Sequence, residues 1–330
     1  MADLDERRVG KRLKIGMLFP GQGSQFIGMG KEFYDTERIV QEHFEDAASC
    51  LSGNFVQLCF ASSEEMLRGT IETQTAVFLV SASIFQLLKQ KYGIIPDLVA
   101  GHSLGEYSAI FAAEGMNFPD SLYLLKKRAV FMKEAISSQN GGMLAVLGSF
   151  SEEKLKQICQ QYDKPEGIEF VAEIGCYNSP TQKVVVGTKP ELESIEKDLV
   201  IMRGKSAMLP VEGAFHSRML ADAEKRYSMY LLKVDIDSLK IPLVDNVTSQ
   251  KILQPEDIKH SMVKQTSNPV LWWDSIQHFK DMDLIIEVGP NDIFTKMIKR
   301  EWPNQNIMAV NTPADVEALL KNIEELEIGK

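Results

Sequence analysis

The stretch DLVAGHSLGEYSAIFAA, residues 97–113, carries the decisive architectural signal. Asp97–Ala100 reads as a short strand, Gly101 to Gly105 as a tight turn, and the alanine-rich segment after it as a helix to about Ala113. A strand running through a tight turn into a helix is the unit from which parallel α/β sheets are built. Within the turn, Gly101, Ser103 and Gly105 form G-x-S-x-G, the pattern of a nucleophile elbow. The glycines allow the sharp turn, and the serine oxygen then projects at the carboxyl end of the sheet. The helix starting there aims free N–H groups at any anion formed beside the serine. The competing reading is a structural turn with a capping serine.

Working outward, the α/β pattern extends in both directions. Ile15–Phe19 (IGMLF) is an apolar run closed by Pro20-Gly21, a buried strand, and GQGSQ at 21–25 is a glycine-rich loop. Residues 75–91 form a long apolar helix ended by Gly93 and Pro96. Asp120 or Ser121 caps a helix to about Ile136. From Met143 the order changes. Strand 143–147, a helix capped by Ser151 to about Tyr162, strands 169–174 and 183–186, helix 191–202 and strand 206–209 make β-α-β-β-α-β, a ferredoxin-like unit. Asn178-Ser179-Pro180 is read as its central turn. Gly141-Gly142 opens the unit, and Pro210 to Gly213 closes it. Helix 217–232, a strand near Leu243–Val244, helix 269–280 begun by Pro269, strand Leu284–Val288 and a helix to Arg300 resume the first pattern. The expected fold is a hydrolase-like, mostly parallel α/β domain, residues 13–140 and 211–330, with a ferredoxin-like insertion at 141–210. Residues 1–12 read as a solvated tail.

Composition excludes several classes. With 330 residues, 44% hydrophobic and 25% charged, the chain is globular and long enough for a large core. Thirty-six basic against 46 acidic residues leave a net charge of -10, which argues against general nucleic-acid binding. Cys50, Cys59, Cys159 and Cys176 show no C-x-x-C spacing, so they read as small core residues in a reducing compartment. No unbroken apolar run approaches the ~18 residues of a membrane span. The charged N-terminus lacks a signal h-region, so a soluble cytoplasmic protein is expected.

A serine nucleophile needs a base. His102 adjoins Ser103 and is expected to point away. His43, His260 and His278 lie on polar helical stretches and read as surface or satisfied residues. His216, in Glu-Gly-Ala-Phe-His-Ser between the insertion and a helix, is the remaining candidate, against a capping or core role. Arg128 is the third signal. On the helix wheel of residues 122–136 it falls inside the apolar arc of Leu124, Leu125, Phe131, Met132, Ala135 and Ile136. A buried guanidinium requires an anion, from either a protein carboxylate or a ligand carboxylate. Arginine suits the second because its planar fork matches a carboxylate.

These residues stand among ordered motifs: Phe19-Pro-Gly-Gln-Gly-Ser-Gln25, Gly101-His-Ser-Leu-Gly-Glu106, Arg128 with Met132, Asn178-Ser-Pro180, Gly213-Ala-Phe-His-Ser217, Gln265 with Asn268-Pro-Val270, and Glu287-Val-Gly-Pro290. With them the chain resembles the malonyl-CoA:acyl carrier protein transacylases of fatty acid and polyketide synthesis, from Ile15 to about Val310. The resemblance implies Ser103 as nucleophile, His216 as general base and acid, and Arg128 as holder of the malonyl carboxylate. It implies an oxyanion hole from the backbone N–H groups of Gln22 and Leu104, and a main-chain carbonyl at Gln265 orienting His216. Met132, Phe215 and Asn178 fall at the substrate site. Ala129 stands where the family usually has glycine, and Phe215 resembles the malonyl-selective pattern. Malonyl-CoA and an acidic carrier protein are the implied partners, with no metal or redox cofactor, coenzyme A entering as the substrate thioester. Arg203 and Lys205 are candidates for docking the carrier; their alternative is a solvated helix end. Two other classes stay open, an acyl-thioester hydrolase on the same fold and a non-catalytic scaffold.

Overall fold

The computed structural model describes residues 12–328 except 138, 149 and 233, so most of the expected tail lies outside the described residues. Its last member, Arg12, is exposed but pairs with Asp97 at 3.2 Å.

Among the described residues, ten strands divide into two sheets. They are β1 (Ile15–Phe19), β2 (Leu98–Gly101), β3 (Gly141–Leu147), β4 (Ala172–Ser179), β5 (Gln182–Thr188), β6 (Lys205–Met208), β7 (Leu243–Val244), β8 (Lys251–Ile252), β9 (Leu284–Val288) and β10 (Ile307–Val310). The larger sheet has the order β10-β9-β1-β2-β7-β8. All its pairings are parallel except the edge pair β7–β8. Its central strand β1 is the IGMLF run, with Met17, Leu18 and Phe19 fully buried, as an unbroken apolar strand covered on both faces must be. The smaller sheet is antiparallel, β4-β5-β3-β6, and its elements follow the expected β-α-β-β-α-β order, with helices Glu152–Tyr162 and Lys189–Ile201.

Helix Thr70–Tyr92 is long and apolar enough to cross a membrane by length and composition, but 83% of its most apolar window is buried inside the protein. It lies in the main core, against helices Gly105–Ala112 and Phe118–Ser137. Ser81, Ser83 and Thr75 interrupt its apolar run, so the sequence shows no continuous span.

Two expectations about the second half are corrected. The strand placed at 169–174 runs instead from Ala172 to Ser179, so Asn178 and Ser179 are strand residues, not turn residues. Gly175 breaks the strand's side-chain pattern: a Cβ there would meet Val186 at 2.5 Å. The β4–β5 register slips twice, between Ile174 and Cys176 and between Tyr177 and Ser179. Such irregularities re-aim side chains near active sites. The helix expected from 269 begins only at Trp272. Val270 is used differently: its N–H bonds the Gly175 carbonyl at 2.9 Å, and its carbonyl accepts from Tyr177 at 2.9 Å. That bridge ties the large α/β part to the smaller sheet, and backbone pairing wins over the proline start signal. The helix read as 217–232 opens with a 3-10 turn, Arg218–Leu220, capped by Ser217, before Ala221–Leu231.

Candidate active site

The elbow is built by close approach. A Cβ on Gly101 would lie 1.9 Å from the Gly105 carbonyl oxygen, and one on Gly105 would lie 2.3 Å from the Phe19 carbonyl oxygen. Only glycine fits either position. Between them Ser103 adopts φ 54°, a left-handed conformation costing a non-glycine residue about 1–2 kcal/mol. Asn246, just beyond β7, holds this shape. Its Oδ1 accepts the Ser103 N–H at 2.7 Å, and its Nδ2 donates to the Gly101 carbonyl at 2.7 Å.

His216 meets the serine from the loop after β6. Its Nε2 is 2.8 Å from Ser103 Oγ, and its Nδ1 is 2.7 Å from the Gln265 carbonyl oxygen. A carbonyl only accepts, so Nδ1 carries the proton and Nε2 is left to accept the serine O–H. The orienting group is therefore main-chain, at the residue that caps helix Pro255–Lys264. Burial, followed by the charge of Arg128, lowers the His216 pKa to about 3. The imidazole is neutral and available as an acceptor at physiological pH.

Arg128 is 1% exposed. Its Nη2 donates to Ser103 Oγ at 3.0 Å and to Gln265 Oε1 at 2.7 Å, and its Nη1 donates to Gln74 Oε1 at 2.7 Å. Its Nε has no acceptor. The guanidinium also sits 5.7 Å from the centre of the Tyr107 ring. Among the described residues no carboxylate comes within ion-pair distance of it. Of the two anions the sequence left open, the protein carboxylate is not in contact.

A cleft of about 120 Å³ opens over Ser103 and His216. Gln22, Leu104, Met132, Asn178 and Phe215 line it, together with Gln74, His102, Met143, Cys176, Val184, Leu209 and Val211. Arg128 and Gln265 stand behind this wall and reach it through Ser103. His102 bonds Asn178 rather than the serine. The elbow turns its ring sideways onto Trp272, 5.4 Å between centres, and its Nε2 lies 3.0 Å from Asn178 Oδ1 at the cleft. Burial lowers its pKa to about 4. His43 is buried and satisfied, 3.3 Å from Ser83 Oγ and stacked on Phe118 at 4.4 Å. His278 bonds the Ser249 carbonyl at 2.8 Å, and His260 is exposed. All four cysteines are free thiols; Cys59, Cys159 and Cys176 are buried and Cys50 is half-buried. Arg203 and Lys205 are exposed and border a separate surface groove with Leu147, Phe150 and Met202.

Sequence reasoning missed Gln74, Asn246 and Glu106 as site residues. Gln74 carried the same signal as Arg128, a polar side chain on an apolar helix, one residue before the expected helix start. Asn246 becomes visible only once β7 is known to pair with β2.

A serine on a strained elbow, a neutral histidine bonded to it and a parallel sheet behind them are the parts of a site for nucleophilic acyl transfer. Residues 17–317 match the family model described as the acyl transferase domain, and the chain belongs to that family. The malonyl CoA-acyl carrier protein transacylase of Bacillus subtilis (strain 168) is 33% identical over 316 residues, covering 94% of this chain and 98% of the relative. The protein of the same name from Salmonella typhimurium is 32% identical over 310 residues, covering 93% and 99%. Among solved structures, malonyl CoA-acyl carrier protein transacylase from Clostridium perfringens superposes with a TM-score of 0.88 at 33% identity, covering 96% of this chain and 98% of that one. A malonyl-transacylase solved in complex with a type II polyketide synthase acyl-carrier protein gives 0.89 at 28% identity, covering 94% and 99%.

Proposed function

We propose that this chain moves malonyl groups from malonyl-CoA to the phosphopantetheine thiol of an acyl carrier protein, through a malonyl ester on Ser103. The observation that carries the reading is Arg128. It is a buried cation with its Nη2 3.0 Å from the serine oxygen and, among the described residues, an unpaired Nε and no carboxylate in contact. A malonyl group esterified to Ser103 brings its free carboxylate to that guanidinium. A neutral acyl chain makes no use of such a cation, and the relatives carry transacylase names, so the hydrolase alternative is not supported.

In the first half-reaction Ser103 Oγ attacks the thioester carbon while His216 Nε2 takes its proton. The N–H groups of Gln22 and Leu104, at the cleft beside Ser103, are assigned to the oxyanion, where one such donor contributes about 3 kcal/mol. The C–S bond breaks, and the imidazolium returns its proton to the leaving coenzyme A sulfur. In the second half-reaction the carrier thiol gives its proton to His216 and attacks the ester, and Ser103 Oγ leaves with that proton. One thioester replaces another, so the exchange is close to isoergic. No oxidation state changes in either half-reaction, so no redox group is assigned.

The 13–140 and 211–330 segments are assigned as a hydrolase-like catalytic subdomain and 141–210 as a ferredoxin-like one. The strand order β4-β5-β3-β6 supports the second assignment. Free thiols at all four cysteines support a cytoplasmic location. Arg203 and Lys205 are retained as docking candidates for an acidic carrier. The test is mass spectrometry after incubation with malonyl-CoA. A malonyl adduct on Ser103, absent from Ser103→Ala, is expected; an adduct on Cys176, the thiol in the same cleft, refutes the assignment.

A further inference from the structure

Glu106 is the second residue of helix Gly105–Ala112 and is completely buried. Among the described residues no cation lies within ion-pair distance of it. Its Oε1 accepts from Ser261 Oγ at 2.6 Å, and its Oε2 accepts from Gln265 Nε2 at 2.5 Å. The other end of that Gln265 amide, Oε1, accepts from Arg128 Nη2 at 2.7 Å. The chain of contacts therefore runs carboxylate, amide NH₂, amide oxygen, guanidinium.

An amide has one donating end and one accepting end. With an anion on one side, the NH₂ must face Glu106 and the oxygen must face Arg128. Gln265 Nε2 also donates to the Ser103 carbonyl at 3.0 Å. Turning the amide over would set its oxygen against that carbonyl and the carboxylate, and its NH₂ against the guanidinium donors. Three favourable contacts would become three repulsive ones.

We propose that Glu106 is a positioning residue: it is the counter-charge of Arg128, held one glutamine amide away so that the guanidinium is fixed in place yet left without a carboxylate of its own. A direct Glu106–Arg128 pair would have to be displaced by the substrate carboxylate. The interposed amide removes that competition while still aiming Arg128 at Ser103. The same residue supplies the carbonyl that orients His216, so Glu106 acts on both through Gln265.

The proposal rests on the reading of Arg128 as the malonyl holder, and the test separates the two. The readout is the ratio of malonyl to acetyl transfer, each as kcat/KM, in wild type, Glu106→Gln, Ser261→Ala and Arg128→Ala. Glu106→Gln keeps the side chain's size, and Ser261 can turn its hydroxyl toward Asp245 Oδ1, now 3.5 Å away. The expected result is a ratio lowered about tenfold, carried by the malonyl KM, which is the scale of losing a charge-assisted hydrogen bond. Ser261→Ala removes a bond that favours the ionised carboxylate, so its ratio should fall in the same direction as that of Glu106→Gln but by less. An unchanged ratio in a Glu106→Gln variant that melts cooperatively overturns the proposal. If the ratio is also unchanged in Arg128→Ala, the reading of Arg128 fails first.

Should Glu106→Gln not fold, the wild-type protein decides. Burial, and then the Asp245 charge at the end of β7, push the Glu106 pKa up to about 7; Arg128 on helix Phe118–Ser137 opposes this, and Tyr107 beside it is protonated in the same range. The wild-type ratio should fall at least threefold from pH 8 to pH 6 as Glu106 takes up its proton, about half of the tenfold effect on a logarithmic scale. His216, neutral across that window, does not contribute. A flat ratio overturns the proposal.

Discussion

Arg128→Ala separates recognition from chemistry. The wild-type side chain is buried, donates to Gln74, Gln265 and Ser103, and is the one cation bonded to the serine oxygen among the described residues. Truncating one partner of such a buried charge pair costs about 2–5 kcal/mol. At about 1.4 kcal/mol per decade this is roughly a 30-fold to several-thousand-fold loss of kcat/KM for malonyl-CoA. Acetyl-CoA brings no carboxylate and behaves differently. Arg128 Nη2 and His216 Nε2 both bond Ser103 Oγ, at 3.0 and 2.8 Å, so the imidazolium formed during attack faces a cation. A malonyl carboxylate neutralises that cation, whereas an acetyl group does not. Acetyl transfer should therefore hold or rise in Arg128→Ala, and Arg128→Lys should recover little malonyl transfer, because an ammonium cannot reproduce the fork. The assay is the malonyl-to-acetyl ratio in wild type and both variants, with thermal melts alongside. Gln74 and Gln265 each lose a donor, so some loss of melting temperature is expected. Equal falls for both substrates, or variants that do not fold, would refute the recognition role and leave Arg128 as a structural cation.

Three further outcomes follow from the geometry. His216→Ala should slow both half-reactions by about 10²–10⁴-fold, the acylation of Ser103 more than the thiol step, as rapid-mixing measurement of each half would show; normal acylation would mean another base. Because the His216 pKa is lowered to about 3, the neutral base persists far below the usual histidine range. The free enzyme's kcat/KM for acetyl-CoA should then show no acid limb from His216 between pH 5 and 7, and a limb near 6.5, abolished in His216→Ala, contradicts this. Gly101→Ala forces a Cβ to 1.9 Å from a backbone oxygen. It should destabilise the fold by about 4 kcal/mol or more in denaturant titration, and near-wild-type stability would disprove the elbow's packing.

How much of this was legible in advance varies with the range of the forces involved. β1 was read to the residue because an apolar run ended by Pro20-Gly21 is a local signal. β4 was misplaced by several residues because Gly175 and two register slips break the alternation that reveals a strand. Helices Arg38–Leu51 and Pro255–Lys264 went unread, although the second carries Gln265 at its end. Val270 reads locally as part of a helix start, yet its backbone is taken by β4, a partner some ninety residues earlier in the chain.

The sequence by itself determined the elbow, the β-α-β-β-α-β element order of the smaller sheet and the residue types gathered around Ser103, because glycine sterics, apolar periodicity and a lone charge on an apolar helix face are properties of short segments. It also brought His216 forward by elimination, and Arg128 by the anion it must find. Only the tertiary structure decided which anion was absent. Glu106 lies twenty-two residues before Arg128 and could have paired with it directly. The fold instead places Gln265, from a helix more than a hundred residues further on, between the two. Whether a buried charge is paired, relayed or left open depends on a few ångströms of three-dimensional placement, set by how the helices and the sheet pack together, and no local pattern in the chain encodes that distance.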